Sequence, residues 1–203
     1  MDAFNLLKAD HRKVEKLFSQ LESASGQAKM RVFEQIKMEL DLHTHIEEKI
    51  FYPALEKPKQ THDLTLEAYE EHDVVKKLLR ELSRAKTPNE EWEAKAKVLQ
   101  ENVEHHVEEE ENELFEKAEA ALSEEQIEAL GEQMEAEKER KQRGATKSSS
   151  KKKSASANKS ASKTKSASTA AKRARASKKS GTKSSSKSSG SKRSKKSAKK
   201  SRR

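Results

Sequence analysis

The chain has 203 residues, no cysteine and a formal net charge of +9, which excludes disulfides, thiolate metal sites and cysteine nucleophiles. The net charge conceals a division: residues 1–143 carry 22 basic and 35 acidic side chains, a balance of −13, whereas 144–203 carry 22 basic residues and no acid. No apolar run approaches the roughly 18 residues of a membrane span, and the N-terminus lacks the basic-then-apolar layout of a signal peptide, so the expectation is a soluble cytoplasmic protein.

Apolar residues recur at threes and fours through most of residues 1–143, the pattern of amphipathic helices. The first helix is expected from about Asp2 to just before Gly26, with an inward stripe of Phe4, Leu7, His11, Val14, Phe18 and Leu21. The second carries Phe33, Ile36, Leu40, His43, Glu47, Ile50 and Ala54; Pro53 is expected to kink it and Pro58 to end it. Asp63 is the expected N-cap of a third helix with Ala68, His72, Val75, Leu79 and Leu82 facing inward. Thr87 and Glu90 have capping-box spacing ahead of a fourth, whose stripe is Trp92, Ala96, Leu99, Val103, His106, Glu110 and Leu114. Ser123 and Gln126 repeat that spacing before a short fifth helix with Ile127, Leu130 and Met134. Short connections between long helices give an all-α, up-down-up-down four-helix bundle over residues 1–122, a short fifth helix and linker over 123–143, and a basic tail over 144–203.

Every one of the four main stripes carries histidine where an apolar residue belongs, and two carry His-x-x-x-Glu. The pattern also repeats. Asp10-His11 resembles Glu71-His72, and His43-x-x-x-Glu47-Glu48 resembles His106-x-x-x-Glu110-Glu111, at offsets of 61 and 63 residues. A single histidine on an apolar face is usually a hydrogen-bonded core residue. Six polar side chains at matching places in two halves point instead to a shared metal site, because residues four apart on a helix lie one above the other. Glu47 and Glu110 are the natural bridges between two ions, with His11, His43, His72 and His106 as terminal ligands. Imidazole and carboxylate without thiolate suit iron, manganese or zinc. The Glu-x-x-His spacing of ferritin-like di-iron bundles and the His-Glu-x-x-His of zinc peptidases are both absent. His45 and His105 fall off the stripes, His62 is expected in a loop, and Glu15 and Tyr69 are expected outside the ligand set.

The four helices bearing His11, His43-x-x-x-Glu47, His72 and His106-x-x-x-Glu110 resemble the hemerythrin-like HHE cation-binding domain, as does the run Glu-Glu-Lys-Ile-Phe-Tyr-Pro at 47–53. The resemblance covers roughly residues 1–140. It implies a non-haem di-iron centre, two iron ions per chain, that reacts with or senses dioxygen, peroxide or nitric oxide. The chain departs from the oxygen-carrying hemerythrins at Lys76, where those have a second histidine on the third helix. It departs again in the last pair, which is His-x-x-x-Glu and not His-x-x-x-x-Asp. One ion therefore lacks a protein ligand unless Glu15, Glu48, Tyr69, Glu111 or water takes its place, and reversible oxygen carriage does not follow from the resemblance.

Residues 144–203 contain 20 serines and no Val, Ile, Leu, Met, Phe, Trp or Tyr, so burial has nothing with which to offset chain entropy, and a disordered segment is expected. In composition the tail resembles the Lys/Ser/Ala-rich tails of linker histones. Such segments bind DNA or another polyanion by counterion release, without reading sequence. No apolar anchor accompanies them here, so a membrane is not the expected partner. A peroxide- or nitric-oxide-consuming enzyme, an iron sensor or store, and a nucleoid-associated structural protein all fit these features.

Overall fold

The computed structural model describes residues 1–144; the expected tail lies outside the described residues. Helices α1 (Ala3–Ser23) and α2 (Gly26–Ile46) pack against each other, as do α4 (Lys59–Leu82) and α5 (Glu90–Glu109), giving the expected four-helix bundle. Two π-helical turns, Glu47–Phe51 and Glu110–Leu114, continue α2 and α5 into short helices α3 (Tyr52–Leu55) and α6 (Phe115–Ala121). A further helix, α7, spans 124–144. Among the described residues there is no strand.

Capping chemistry sets most of the boundaries. Asp2 caps α1 by accepting from the Asn5 N–H at 2.9 Å. The turn into α2 uses Gly26 at φ +53°, a left-handed conformation that glycine adopts without strain. Ser123 and Gln126 form the reciprocal capping box ahead of α7, at 3.3 and 2.9 Å.

Two expected caps are replaced. Helix α4 begins at Lys59 and not at Asp63, because the Pro58 carbonyl accepts from both Thr61 and His62 and thereby starts the helix a turn earlier. His62 accordingly lies in α4, not in a loop. Asn89, and not Thr87, caps α5: its Oδ1 accepts from Trp92 N–H at 2.8 Å, while the Trp92 indole reaches back to the Leu82 carbonyl at 3.2 Å.

The π turns also correct the second stripe. Tyr52 N–H donates to the Glu47 carbonyl five residues back, and Phe115 N–H does the same to Glu110. The extra residue moves the inward face one position on. Phe51 and Leu55 are fully buried where Ile50 and Ala54 were expected. Pro53 fits this turn, but the second turn contains no proline, so proline is not what makes them.

The core forms two apolar layers. One contains Leu7, Ile46, Phe51, Leu55, Phe115 and Met134; the other contains Phe18, Phe33, Ile36, Leu79, Trp92 and Leu99. Their flanking sequence positions place the six polar stripe residues between them.

Helix α7 closes one side of the bundle. Met134 is fully buried, and a Cβ on Gly131 would stand 2.3 Å from the Met1 carbonyl oxygen, so only glycine lets α7 cross the N-terminus this closely. Glu137 accepts from His45 and Lys49, each at 2.7 Å, and from Arg140. Hydrogen bonds from Arg140, Lys49 and His45 hold the Glu137 carboxyl well below the usual carboxylate range. A depressed folded pKa contributes stability above the unfolded value of about 4.3, and that contribution is lost as pH falls below it. Glu137→Gln is therefore expected to destabilise the protein by about 2 kcal/mol at pH 7, and by clearly less near pH 3, in urea unfolding monitored at both pH values.

Candidate metal centre

All six stripe residues singled out in the sequence are buried, and they converge. His11 Nε2 and His43 Nε2 are 3.1 Å apart, and His72 Nε2 and His106 Nε2 are 3.2 Å apart. Glu47 lies between the pairs, with Oε1 3.2 Å from His43 and Oε2 3.4 Å from His72. Glu110 Oε2 is 3.3 Å from His11 Nε2. The donors form two groups that share Glu47: His11, His43, Glu47 and Glu110, and then Glu47, His72 and His106.

A carboxylate stands behind each imidazole. Glu111 Oε1 is 2.7 Å from His11 Nδ1, Glu48 Oε1 is 2.9 Å from His72 Nδ1, and Glu71 Oε2 is 2.7 Å from His106 Nδ1. Asp10 Oδ2 lies 3.7 Å from His43 Nδ1. These contacts obey the internal repeat. The acid before each first histidine serves the next helix's histidine, and the acid after each glutamate serves the other half. Glu48 and Glu111 thus orient imidazoles instead of replacing a ligand, a role their adjacency to Glu47 and Glu110 could have signalled. A proton placed on Nδ1 by a carboxylate leaves the Nε2 lone pair free to bind a metal.

The donor set fits a divalent cation. His43 Nδ1, both oxygens of Glu47 and Oε2 of Glu110 are buried with no hydrogen-bond partner. Lone pairs on facing imidazoles and carboxylates repel at these distances, and a cation among them removes the repulsion. Positive charge is drawn to the same place in the protonation behaviour. Burial and the neighbouring Glu110 charge push the Glu47 carboxyl well up. Burial lowers His11, but its bonds to Glu110 and Glu111 outweigh it and raise the imidazole. Burial holds His43 at about 4, so it stays neutral and able to ligate.

Tyr52 is the site residue that the stripes missed, since the π turn carries it inward five residues after Glu47. Its hydroxyl donates to Glu110 Oε1 at 3.2 Å and lies 3.3 Å from His72 Nε2. Burial, followed by the Glu110 and Glu47 charges, keeps the phenol protonated well above its ordinary range. The repeat puts Phe115 at the equivalent place, stacked on His11 at 6.3 Å, so the hydroxyl marks one half only.

Of the other residues weighed, Glu15 is exposed and Tyr69 packs edge-on against Tyr52 at 5.1 Å. Lys76 pairs with Glu48 and, at 3.4 Å, with Asp73. Beside the imidazoles lies a cavity of about 20 Å³ walled by Val14, Leu40, Val75, Val103 and Val107. Clefts of about 530 and 540 Å³ lie away from the histidines, whereas one of about 340 Å³ between α1 and α5 reaches His11 and Glu111.

Residues 2–118 match the family model described as the hemerythrin HHE cation binding domain. The chain belongs to this family. A crystal structure of a hemerythrin HHE cation binding domain-containing protein from Mycobacterium kansasii is 26% identical, with a TM-score of 0.60, and the match covers 69% of this chain and 86% of that one. A DNA nickase from Nostoc sp. (strain PCC 7120 / SAG 25.82 / UTEX 2576) is 30% identical over 139 residues, 68% of this chain and 39% of the nickase. The HHE chain thus spans about two fifths of that relative's length. Among the described residues, no helix is long and apolar enough to cross a membrane.

In this HHE domain the raised Glu47 carboxyl has a measurable signature. A carboxyl whose folded pKa is raised destabilises the fold increasingly as pH climbs past the unfolded value of about 4.3. Metal-free Glu47→Gln is therefore expected to be more stable than wild type by about 1–4 kcal/mol at pH 7, with the gap closing near pH 4, and to lose the stabilisation that added metal gives wild type. Thermal unfolding with and without metal at the two pH values checks this.

Proposed function

We propose that this chain is a non-haem di-iron protein that reacts with or senses dioxygen, peroxide or nitric oxide, and that its basic tail holds it on DNA. The observation that carries the first part is the convergence of four Nε2 atoms and three buried carboxylate oxygens without hydrogen-bond partners, two of Glu47 and one of Glu110, on one enclosed space. His11 and His43 would hold one iron and His72 and His106 the other, with Glu47 and Glu110 supplying the carboxylates. Donors of imidazole and carboxylate type also accept manganese or zinc; iron is preferred because the neighbouring cavity fits a diatomic oxidant. Bound there, iron supplies a redox-active Lewis acid.

The protein's own groups define the rest. Glu48, Glu71 and Glu111 fix three imidazole orientations, and Asp10 flanks the fourth. Val14, Leu40, Val75, Val103 and Val107 give the cavity an apolar wall opposite the imidazoles. Tyr52 keeps a proton on its hydroxyl, which it donates in a hydrogen bond to Glu110 beside His72. Lys76 is engaged by Glu48 and adds no donor, so the group of Glu47, His72 and His106 offers three protein ligands against four in the other group. Fewer protein ligands would favour reaction over reversible carriage.

The tail argument is electrostatic. Residues 144–203 carry 22 positive charges against a body of −13, so phosphate should be drawn to the tail and repelled by the bundle. Similarity to a DNA nickase is consistent with a DNA partner. In a bacterial cell this reading places the protein in the cytoplasm, on the nucleoid.

Protein produced with ample iron is expected to hold two iron ions per chain by elemental analysis, and paired His106→Ala and Glu110→Ala changes to remove most of them. Iron-free wild type, or unchanged content in the variant, defeats the assignment. Separately, a chain ending at Arg143 is expected to keep its metal and lose DNA binding in gel-shift titrations. The full chain's affinity should fall steeply with salt and differ little between sequences.

A further inference from the structure

The two halves of the centre correspond position by position, but their outer rims differ. Asp10 and Glu71 hold equivalent places, each preceding a histidine and each facing the histidine of the next helix. Around Asp10 the rim is closed: Leu42 and Ile46 flank His43 and Glu47 on α2, both buried, and Lys138 of α7 pairs with the Asp10 carboxylate. Sixty-three residues later, the places of Leu42 and Ile46 are taken by His105 and Glu109. Apolar closure has been exchanged for two metal-binding side chains.

These two meet Glu71. His105 Nε2 is 3.7 Å from Glu71 Oε1 and 3.4 Å from Glu109 Oε1, and one ligand atom from each residue lies within 4.8 Å of the others. Side-chain exposure falls inward, from 63% at His105 through 33% at Glu109 to 19% at Glu71. Behind them is a cavity of about 10 Å³, near the lower limit for one water, lined by Glu71, Glu109, His106 and Glu110. Glu110, 2% exposed, lines that cavity as well, and its Oε2, which has no hydrogen-bond partner, lies 3.3 Å from His11 Nε2 in the buried centre.

We propose that Glu71, His105 and Glu109 form an outer divalent-cation site that loads the buried centre, with the small cavity as its passage to Glu110. This rests on the centre proposed above. One imidazole and two carboxylates, with water completing the shell, suit borderline divalent ions and bind them exchangeably. Glu71 is the link: Oε1 faces the outer site while Oε2 holds His106, so a cation on the outer site is one carboxylate from an inner ligand. The rim between α1 and α5 has carboxylates too, at Glu15, Glu104 and Glu108, but no second histidine, and Val14, Val103 and Val107 stand behind it.

Cobalt(II) uptake by the full metal-free chain, mixed rapidly and followed by visible absorption, tests the assignment. Wild type should show two tight sites and one weak one. Combined His105→Ala and Glu109→Gln changes should abolish the weak site and slow filling by about tenfold or more, leaving the final tight occupancy unchanged. Glu104→Gln with Glu108→Gln should fill at the wild-type rate. Circular dichroism confirms that each variant is folded, which the surface location of these side chains favours. Wild-type filling kinetics and a retained weak site in the first variant, or slowing confined to the second, overturn the outer site while leaving the centre standing. A wild-type chain that takes up no cobalt in its interior overturns both.

Discussion

Six ionisable side chains sit between two apolar layers, and the rest of the structure is arranged around that conflict. A buried carboxylate without a hydrogen-bond partner is strongly disfavoured, and Glu47 is one, with a second carboxylate, Glu110, beside it. The fold accepts this by placing an acid behind each histidine, so that the ring protons point outward and the lone pairs inward. Those outer acids are in turn neutralised where they meet basic residues: Glu48 by Lys76, and Asp10 by Lys138. Stability is given up in the middle layer and recovered in the layers above and below it, where Phe18, Phe33, Phe51 and Leu99 are almost fully buried.

The π turns follow from the same constraint. After Glu47 and Glu110 the helices must return to apolar packing, and a regular helix would present Ile50 and Ala54 to the core. One inserted residue presents Phe51, Tyr52 and Leu55 instead, and Leu114, Phe115 and Ala118 at the equivalent places in the other half. Such turns recur at functional sites. Here the insertion also brings one hydroxyl, from Tyr52, to a layer otherwise made of imidazole and carboxylate.

The bundle, its connections and the six inward polar residues were legible in the sequence because helical periodicity and an internal repeat encode them directly. What the periodicity could not carry was any feature that breaks it. Tyr52 lies off a 3.6-residue stripe and becomes visible only once the π turn is known. The supporting acids Glu48, Glu71, Glu111 and Asp10 stand beside the ligands in sequence, yet each serves a different helix, and that pairing is a property of packing. The caps at Pro58 and Asn89 were misplaced because several residues nearby could cap, and tertiary contacts chose among them. The length of α7 was obscured by its charged last turns, which are held by Glu137 and Lys138 reaching α2 and α1.

Iron X-ray absorption of the iron-loaded full chain tests the central claim most directly. The account predicts a first shell of nitrogen and oxygen only, outer-shell scattering from imidazole rings, and a second iron within about 4 Å. An iron spectrum lacking imidazole scattering, or showing isolated ions with no iron neighbour, would contradict it.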